Sequence, residues 1–304
     1  MADRILALDI GGTKLAAGLL DRDGTLIHRR RRPTPGGDAE MVWTAVESLL
    51  VDMLAEAGGT VVGVGVASAG PVDIARGTVS PINIASWRCF PLVEHVAEVT
   101  GVPVGLGGDG LCMALGESWR GAGFDKPFML GMVVSTGVGG GLVLDGSPYH
   151  GRTGNAGHVG HVVVDTDGAP CVCGGRGCVE TIASGPALAR WAHAHGWPAP
   201  ADAGARELAE AADRGDPVGV RAFRRGARAL AAAIASVAAV CDLDLVVVGG
   251  GVARAGPLLF DPLRAALREL AGLDFIRALQ VVPAALGGDA GLVGAAALVR
   301  HGTQ

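Results

Sequence analysis

The sequence predicts an α/β fold of two domains with a duplicated architecture. The first observation is an apolar strand, a glycine turn and a returning strand at residues 4–20, a pattern that recurs about 125 residues later. The second is the alternation of such strands with apolar segments at helical spacing. The third is the length of 304 residues, which suits two domains of about 150 residues each.

The same observations predict where the chain divides. We expect a small α/β domain over residues 1–120, completed by a C-terminal helix at about residues 290–304. A large α/β domain follows over residues 121–289. The segment 121–127 separates the last helix of the first half from the strand that begins the repeat, and it is the predicted boundary.

The first half contains strands, turns and helices that follow from apolar spacing. Strands are predicted over residues 4–10, 15–20 and 25–31, joined by Gly11-Gly12-Thr13 and by the hairpin signal Asp23-Gly24. Residues 39–57 have the spacing of an amphipathic helix. Two more strands, at 61–66 and 103–106, end in glycine-containing turns, and the second leads into a helix that ends near Trp119.

The second half begins with the repeated hairpin. Strands over 128–134 and 141–144 flank the turn 135–140, and Asp145-Gly146 indicates the next reversal. A Cys/His segment covers residues 157–180, and helices follow from residue 185 onward. We predict a long helix over 217–240, a strand over 243–248 and a last helix over 290–300.

Composition and charge exclude several classes of function. The chain has 25 Lys and Arg against 30 Asp and Glu, a net charge of −5, so nucleic acid is not expected as a partner. The uncharged apolar stretch 229–241 is too short for the roughly 20 residues that span a membrane. No secretory signal is recognisable, so we expect a cytoplasmic protein whose six cysteines are thiols or metal ligands.

Glycine turns at three strand ends predict phosphate binding. In the first, Asp9 precedes Gly11-Gly12-Thr13-Lys14, where backbone N–H groups can face an anion and Asp9 can orient hydrated Mg²⁺. The spacing is not that of a P-loop, and an ordinary glycine hairpin is the alternative. The turn Ser135–Gly140, with Thr136 and Gly137, repeats the pattern. The third turn, Gly249-Gly250-Gly251, suits a flat nucleotide moiety or a simple strand-to-helix connection.

The run Gly105-Leu106-Gly107-Gly108-Asp109-Gly110 matches the dinucleotide fingerprint G-x-G-x-x-G. Its strand is short and begins a hundred residues into the chain, and two better phosphate turns compete with it. A dehydrogenase is therefore not the preferred interpretation.

One histidine and three cysteines predict a structural zinc site. His161, Cys171, Cys173 and Cys178 supply one imidazole and three thiolates, a closed tetrahedral set without a position for catalytic water. Free core thiols beside an unrelated histidine are the alternative. The isolated cysteines Cys89, Cys112 and Cys241 are expected to pack as ordinary side chains.

Taken together, these motifs resemble the ROK family of sugar kinases and sugar-responsive repressors. The motifs that carry the resemblance are Asp9-x-Gly-Gly-Thr-Lys, Ser135-Thr-Gly-x-Gly-Gly, Gly157-x-x-Gly-His161, Cys171-x-Cys-Gly-x-x-Gly-Cys-x-Glu180 and Val248-Gly-Gly-Gly-Val252. The resemblance implies a two-domain, actin-like (ribonuclease H-like, duplicated) sugar kinase fold with ATP and a sugar in the cleft between the domains.

The resemblance also implies roles for individual residues. Asp109 matches the general base that takes the proton from the attacking sugar hydroxyl, a role suited to phosphoryl transfer. Asn83, His161 and Glu180 match residues that hydrogen-bond sugar hydroxyls, and Gly70 matches a residue that lines the same pocket. Zinc would hold His161 and Glu180 in place. Taken alone, Asp109 could be a helix N-cap, Asn83 a loop residue and Glu180 a solvated acid at a helix start.

Two departures from the family pattern bear on the substrate. Gly108 stands where the family usually has Asn, and His158 where it usually has Glu; both usual side chains bind the sugar around positions 2 to 4. We therefore expect a 6-kinase for a sugar altered near position 3, such as 3-amino-3-deoxyglucose (kanosamine), whose amine could donate to His158. Glucose and an N-acetylhexosamine are the alternatives.

Two other classes of function compete with a kinase. A ROK-type repressor needs an N-terminal DNA-binding segment, and only eight residues precede Asp9. A catalytically dead sugar sensor fits the two lost sugar contacts but has no need of Asp109 and the phosphate turns. The expected ligands are a sugar, Mg-ATP and zinc, with no nucleic acid or membrane, in a homodimer or homotetramer.

Overall fold

The computed structural model describes residues 2–302, which form strands in two mixed sheets and one short hairpin, with helices between them. The strands are β1 (Asp3–Ile10), β2 (Lys14–Leu20), β3 (Leu26–Pro33), β4 (Thr60–Ser68), β5 (Val72–Asp73), β6 (Thr78–Val79), β7 (Val104–Gly108), β8 (Met129–Val134), β9 (Val138–Leu144), β10 (Ser147–Tyr149), β11 (Leu245–Gly249) and β12 (Gln280–Pro283). The helices are α1 (Ala39–Ala55), α2 (Leu92–Thr100), α3 (Asp109–Arg120), α4 (Glu180–Ala183), α5 (Gly185–Ala194), α6 (Ala205–Asp213), α7 (Pro217–Cys241), α8 (Pro257–Leu270), α9 (Asp274–Arg277) and α10 (Ala290–Arg300).

The two five-stranded sheets repeat one strand order. The first runs β3-β2-β1-β4-β7, and the second runs β10-β9-β8-β11-β12. In the first, β1 pairs antiparallel with β2 and parallel with β4, and β4 pairs parallel with β7. In the second, β11 pairs parallel with both β8 and β12. The predicted α/β class is confirmed, and the two repeated hairpins are β1–β2 in the first sheet and β8–β9 in the second.

The chain forms two compact units. Unit 1 contains the residues up to Pro127, the segment Gly141–Gly157 and the residues from Ala285 onward; unit 2 contains Phe128–Gly140 and His158–Ala284. Unit 1 has a core in which α1 and α2 cover the first sheet through large side chains such as Leu49, Met53 and Leu92, each fully buried. In unit 2, the central strand β11 is buried along its whole length, and α7 packs against α8.

The segment Gly141–Gly157, which the sequence prediction assigned to the second domain, groups with unit 1. Gly141 lies directly against the backbone of α3, where a Cβ would overlap Leu111. Farther along, the side-chain amide of Asn155 accepts from the Val72 N–H at 3.1 Å and donates to the Val72 carbonyl at 2.8 Å. The spacing of apolar residues along the sequence cannot indicate backbone contacts of this kind, so the sequence analysis did not predict them.

Several elements lie outside the sequence prediction, among them the β5–β6 hairpin, α2 and β12. The strands are only two to four residues long, which is too short for a period to be recognised. In the described residues, no helix has both the length and the apolar character needed to cross a membrane.

Candidate active site

The first glycine turn connects β1 to β2 and is closed by backbone hydrogen bonds. The Gly11 N–H donates to the Lys14 carbonyl at 3.0 Å. Thr34, which follows β3, fixes the turn from the side: its hydroxyl donates to the Gly11 carbonyl at 2.6 Å and its N–H donates to the Thr13 carbonyl at 3.2 Å. The predicted turn is thus held in one shape by the first three strands of the sheet.

Asn83 lies against this turn. A Cβ added to Gly12 would be 2.6 Å from the Cβ of Asn83, so only glycine fits there without displacing Asn83. The structure therefore brings a predicted phosphate-binding residue and a predicted sugar-binding residue into contact within unit 1.

Two carboxylates, Asp9 and Asp109, influence each other in the same unit. Burial raises the pKa of Asp9 above its ordinary value of 3.8; the negative charge of Asp109 adds to that rise, and Lys14 and Arg31 oppose it. A pair of nearby acids is a favourable environment for a hydrated divalent cation, because oxygen ligands and negative charge are what Mg²⁺ prefers.

Asp109 is the first residue of α3 and is exposed to solvent. The residue at the N-cap is Gly108, with φ −64° and ψ 149°, so the alternative that Asp109 merely caps the helix does not describe this structure. Asp109 Oδ1 accepts from the Gly110 N–H at 2.7 Å. Beside it, Gly108 has open space: a Cβ there would meet no atom within 4 Å.

The predicted sugar residue Gly70 follows β4 directly, in a loop that Asn155 helps to hold. Ala69 donates its N–H to the Ile10 carbonyl at 3.1 Å, and Val72 makes the two hydrogen bonds with the Asn155 amide described above. The sequence analysis did not find Asn155, because its partner lies 83 residues away along the chain.

The second glycine turn, in unit 2, joins β8 to β9 and rests on Glu180. The Ser135 N–H donates to the Gly137 carbonyl at 2.8 Å, and the Val138 N–H donates to Glu180 Oε2 at 2.8 Å. A Cβ on Gly137 would be 2.6 Å from that same oxygen. Glu180 therefore supports the predicted phosphate turn, and it is not simply a solvated acid.

The third turn lies beside the second. Gly250 has φ +94°, and a Cβ there would overlap the Val134 carbonyl, so this position requires glycine. A Cβ on Gly251 would be 3.4 Å from Ser135 Oγ. Two of the three predicted phosphate or nucleotide turns, separated by more than a hundred residues of sequence, thus meet in unit 2.

These two turns open into a cavity of about 760 Å³ that lies wholly in unit 2. Ser135, Thr136, Gly251 and Val252 line it, together with residues that the sequence analysis did not single out: Pro186, Arg190, Phe223 and Arg254. The cavity is large enough for a nucleoside, and its lining is largely apolar, with arginines and three acids, Asp202, Glu210 and Asp213, at its polar parts. Helical residues spread over α5 and α7 gave no motif from which they could have been predicted.

The described residues contain one cluster of His, Cys, Asp or Glu side chains that could hold a metal ion, formed by His161, Cys171, Cys173 and Cys178. The potential ligand atoms of these four residues all lie within 4.8 Å of one another. His161 Nδ1 is 3.7 Å from Cys171 Sγ, and Cys173 Sγ is 3.8 Å from Cys178 Sγ. Tetrahedral Zn²⁺ with bonds of about 2.3 Å to sulfur and 2.0 Å to nitrogen separates its ligands by about 3.5–3.8 Å. The residues therefore fit zinc.

The predicted site residues are divided between the two units. Unit 1 holds Asp9, Gly11, Gly12, Thr13, Lys14, Gly70, Asn83 and Asp109; unit 2 holds Thr136, Gly137, His158, His161, Glu180, Gly249, Gly250, Gly251 and the three cysteines. The rings of His158 and His161 lie 6.4 Å apart, centroid to centroid.

Known proteins resemble this chain over nearly its whole length. The sequence pattern of the ROK family matches residues 5–302. A glucokinase of Thermotoga maritima is 33% identical, over 98% of this chain and 98% of that protein. An N-acetylmannosamine kinase of Yersinia pseudotuberculosis is 36% identical, over 97% of this chain and 98% of that protein.

Among solved structures, a ROK family glucokinase from Streptomyces griseus, in complex with glucose and AMPPNP, matches with a TM-score of 0.83. It is 37% identical, and the match covers 98% of this chain and 100% of that one.

Proposed function

This chain belongs to the ROK family and is an ATP-dependent sugar kinase, and we propose that it transfers the γ-phosphate of ATP to the 6-hydroxyl of a hexose or amino-hexose. The observation that carries the proposal is the exposed carboxylate of Asp109 at the start of α3, electrostatically coupled to Asp9 beside a glycine turn. Full-length relatives that phosphorylate sugars support the same reaction.

In unit 1, we assign proton transfer to Asp109. Its carboxylate takes the proton of the 6-hydroxyl as that oxygen attacks the γ-phosphorus, and the bond from phosphorus to the β-phosphate oxygen breaks. Asp9 orients the Mg²⁺ that accompanies ATP, and Gly11, Gly12, Thr13 and Lys14 contact the phosphates. Asn83 and the backbone of Gly70 bind sugar hydroxyls.

In unit 2, the cavity beside Thr136 accommodates the nucleoside. Thr136 and Gly137 contact its phosphates, and Gly249, Gly250 and Gly251 allow the flat base to approach the backbone. His161 and Glu180 bind sugar hydroxyls. Zinc, when bound by His161 and the three cysteines, supplies a rigid anchor and no step of the chemistry. Since Nδ1 of His161 faces the Cys171 sulfur, its Nε2 is the atom that would meet the sugar.

The sugar that we favour is 3-amino-3-deoxyglucose. The open space beside Gly108 and the imidazole of His158 replace the amide and the carboxylate that the family usually presents there. Glucose and an N-acetylhexosamine are the competing substrates, and the second is supported by the relative that is named for N-acetylmannosamine. A sugar sensor without turnover is the remaining alternative; assembly as a homodimer or homotetramer and a cytoplasmic location stay predictions.

The test is ADP release with Mg-ATP against a panel of sugars. The panel holds glucose, mannose, allose, glucosamine, N-acetylglucosamine, N-acetylmannosamine and 3-amino-3-deoxyglucose, each with wild type and with Asp109→Ala. Loss of the general base is expected to reduce kcat by about 100- to 10,000-fold.

Turnover of one sugar that disappears in Asp109→Ala supports the proposal and identifies the substrate. Wild-type binding of a sugar without turnover of any member of the panel favours the sensor instead. If glucose gives the highest kcat/KM, the preference for an amino sugar is wrong, while the kinase assignment stands.

A further inference from the structure

Glu117 is a fully buried carboxylate on the same helix as Asp109, and the proposed reaction gives it no role. It lies about two turns along α3 from Asp109 and is 0% exposed. Its Oε2 accepts from the N–H groups of Ala122 at 2.8 Å and Ala285 at 3.0 Å, and its Oε1 accepts from the Leu286 N–H at 2.8 Å. Within the described residues, Glu117 forms no ion pair.

A buried carboxylate without a cation is destabilising unless hydrogen bonds compensate it. Here three backbone N–H groups do so, and bonds of that kind, to an ionised acceptor, are stronger than neutral ones. The backbone N–H groups depend on the carboxylate in turn, because removing it would leave these buried donors without an acceptor. Glu117 therefore fixes the backbone segments that donate to it.

Those segments are far apart in sequence. Ala122 lies two residues after the end of α3, whereas Ala285 and Leu286 lead into α10, more than 160 residues later. Gly121 closes the arrangement from one side, since a Cβ there would overlap the Glu117 carboxylate. One side chain thus ties the end of α3 to the approach of α10.

Each of the two helices that it ties together is next to one of the predicted acids or carries it. α10 packs closely along α3: a Cβ on Gly294 would overlap the Cys112 carbonyl. On the same helix, Gly291 faces Asp9, and a Cβ there would lie 3.0 Å from Asp9 Oδ2. Asp109 begins α3. If α10 slid along α3, Gly291 would move against the Asp9 carboxylate, and the position of that carboxylate relative to Asp109 would change.

We infer that Glu117 is a positioning residue, which keeps α3 and α10 in register and so sets the separation of the Asp9 and Asp109 carboxylates. The inference rests on the proposed function, in which Asp109 accepts the proton and Asp9 orients Mg-ATP. A misplacement of about 1 Å in a reacting constellation lowers the rate by about 100-fold.

Glu117→Gln tests the inference, because it preserves size but presents an NH₂ group to amides that need an acceptor. We expect kcat to fall about 10- to 100-fold, with the KM for the sugar nearly unchanged, since Gly70 and Asn83 lie on neither helix. Gly121→Ala, which displaces the same carboxylate, should also lower kcat. If Glu117→Gln does not fold, Gly121→Ala serves as the test variant instead.

Val46→Ala is the control for lost stability. Val46 is fully buried on α1, a helix that packs against β2, β3 and α2. Each protein is assayed well below its own Tm. Val46→Ala should keep the wild-type kcat despite a lower Tm. A kcat within twofold of wild type in both Glu117→Gln and Gly121→Ala overturns the inference.

Hydrogen exchange separates this inference from the proposed function. Glu117→Gln should accelerate amide exchange in α3 and α10 and leave α1 unchanged. If the wild-type protein turns over no sugar, the proposed function fails, and exchange then decides about Glu117. Wild-type exchange rates in both helices of the variant would show that Glu117 does not hold them.

Discussion

At the scale of single residues, Gly108 and His158 are the positions at which substrate preference is expected to be set. Restoring the usual side chains, in Gly108→Asn with His158→Glu, should raise kcat/KM for glucose relative to 3-amino-3-deoxyglucose. Gly108 has room for the new amide, since its Cβ direction is open for 4 Å. Leaving a polar group of the bound sugar without its partner costs about 1–3 kcal/mol, which corresponds to about 5- to 150-fold in the ratio.

Competition between the two sugars in one reaction measures that ratio directly. Gly36→Asn is the matched control, because Gly36 also has an open Cβ direction and lies in the same unit but carries no assigned role. If the double variant has the wild-type ratio of kcat/KM for the two sugars, neither Gly108 nor His158 determines specificity.

A second prediction at the residue scale concerns Asp9 and the pH dependence of the free energy of unfolding. Its folded-state pKa is raised above 3.8, mainly by burial and then by Asp109, so the ionised carboxylate is disfavoured in the folded protein. Stability is therefore lost as the pH rises through the ordinary value of 3.8 toward the raised one, and the loss persists at neutral pH. Asp9→Asn should raise the free energy of unfolding at pH 7, with a gain that vanishes below pH 4.

The same substitution should abolish the stabilisation of the folded protein by Mg²⁺ and reduce kcat by about 100-fold or more. Urea unfolding at pH 4, 5.5 and 7, with and without Mg²⁺, measures these effects. Asp23→Asn, on an exposed turn, should change neither property. An Asp9→Asn protein that is less stable than wild type at pH 7 would contradict the prediction.

The site could be predicted from the sequence where its chemistry is contiguous. Asp9 and the glycines that follow it occupy one turn, and three cysteines occupy one eight-residue run, so spacing alone indicates their use. Glu117 and Asn155 could not be found in this way. Each satisfies backbone groups that are distant in sequence, and only the tertiary structure brings Leu286 to Glu117 or Val72 to Asn155.

At the scale of elements, the Cys/His segment is expected to fold around zinc. Metal removal should lower the Tm and raise the KM for the sugar about 10-fold or more, because His161 and Glu180 lie in the segment and depend on its fold for their orientation. The KM for ATP should rise by a smaller factor, since Glu180 supports the phosphate turn but none of the four predicted ligands lines the proposed nucleotide cavity.

Cys178→Ser tests this element without a chelator. Elemental analysis should find one zinc per wild-type chain and a much lower content in the variant. Cys241→Ser is the matched control, as Cys241 lies in the same unit but outside the cluster. Full activity of a zinc-free Cys178→Ser protein would show that the element needs no metal.

Strands and helices were predictable in proportion to their length and periodicity. The predicted strand at residues 4–10 is observed as Asp3–Ile10, and the predicted helix at 217–240 as Pro217–Cys241. The two-residue strands β5 and β6 are set by a hairpin contact, and β12 by pairing with β11, so neither leaves a period in the sequence. Tertiary pairing decided these elements.

At the scale of the whole molecule, the chain passes repeatedly from one unit to the other; the strands of the first sheet lie in unit 1, and β8, β11 and β12 of the second sheet lie in unit 2. Unit 1 is assembled from three stretches of sequence and unit 2 from two. Apolar spacing predicted two α/β halves, but the return of residues 141–157 to unit 1 depends on the backbone contact between Gly141 and α3. Such contacts arise only after both elements exist.

The position of the proposed nucleotide cavity wholly within unit 2 leads to the last prediction. AMP, which lacks the β- and γ-phosphates, should bind this unit through its base and ribose. In hydrogen exchange, AMP should protect the segments around Thr136, Arg190 and Val252, all of which line the cavity. The amides of α1 and α2 in unit 1 should exchange at the rate of the free protein.

Gly251→Leu should block this protection. The Cβ of a residue at this position fits at 3.4 Å from Ser135 Oγ, but the rest of a leucine side chain would fill the space that the base needs. Gly272→Leu is the control, because Gly272 lies in the same unit, has an open Cβ direction and does not line the cavity. Wild-type protection by AMP in Gly251→Leu, or equal protection of α1, would place the nucleoside elsewhere in the molecule.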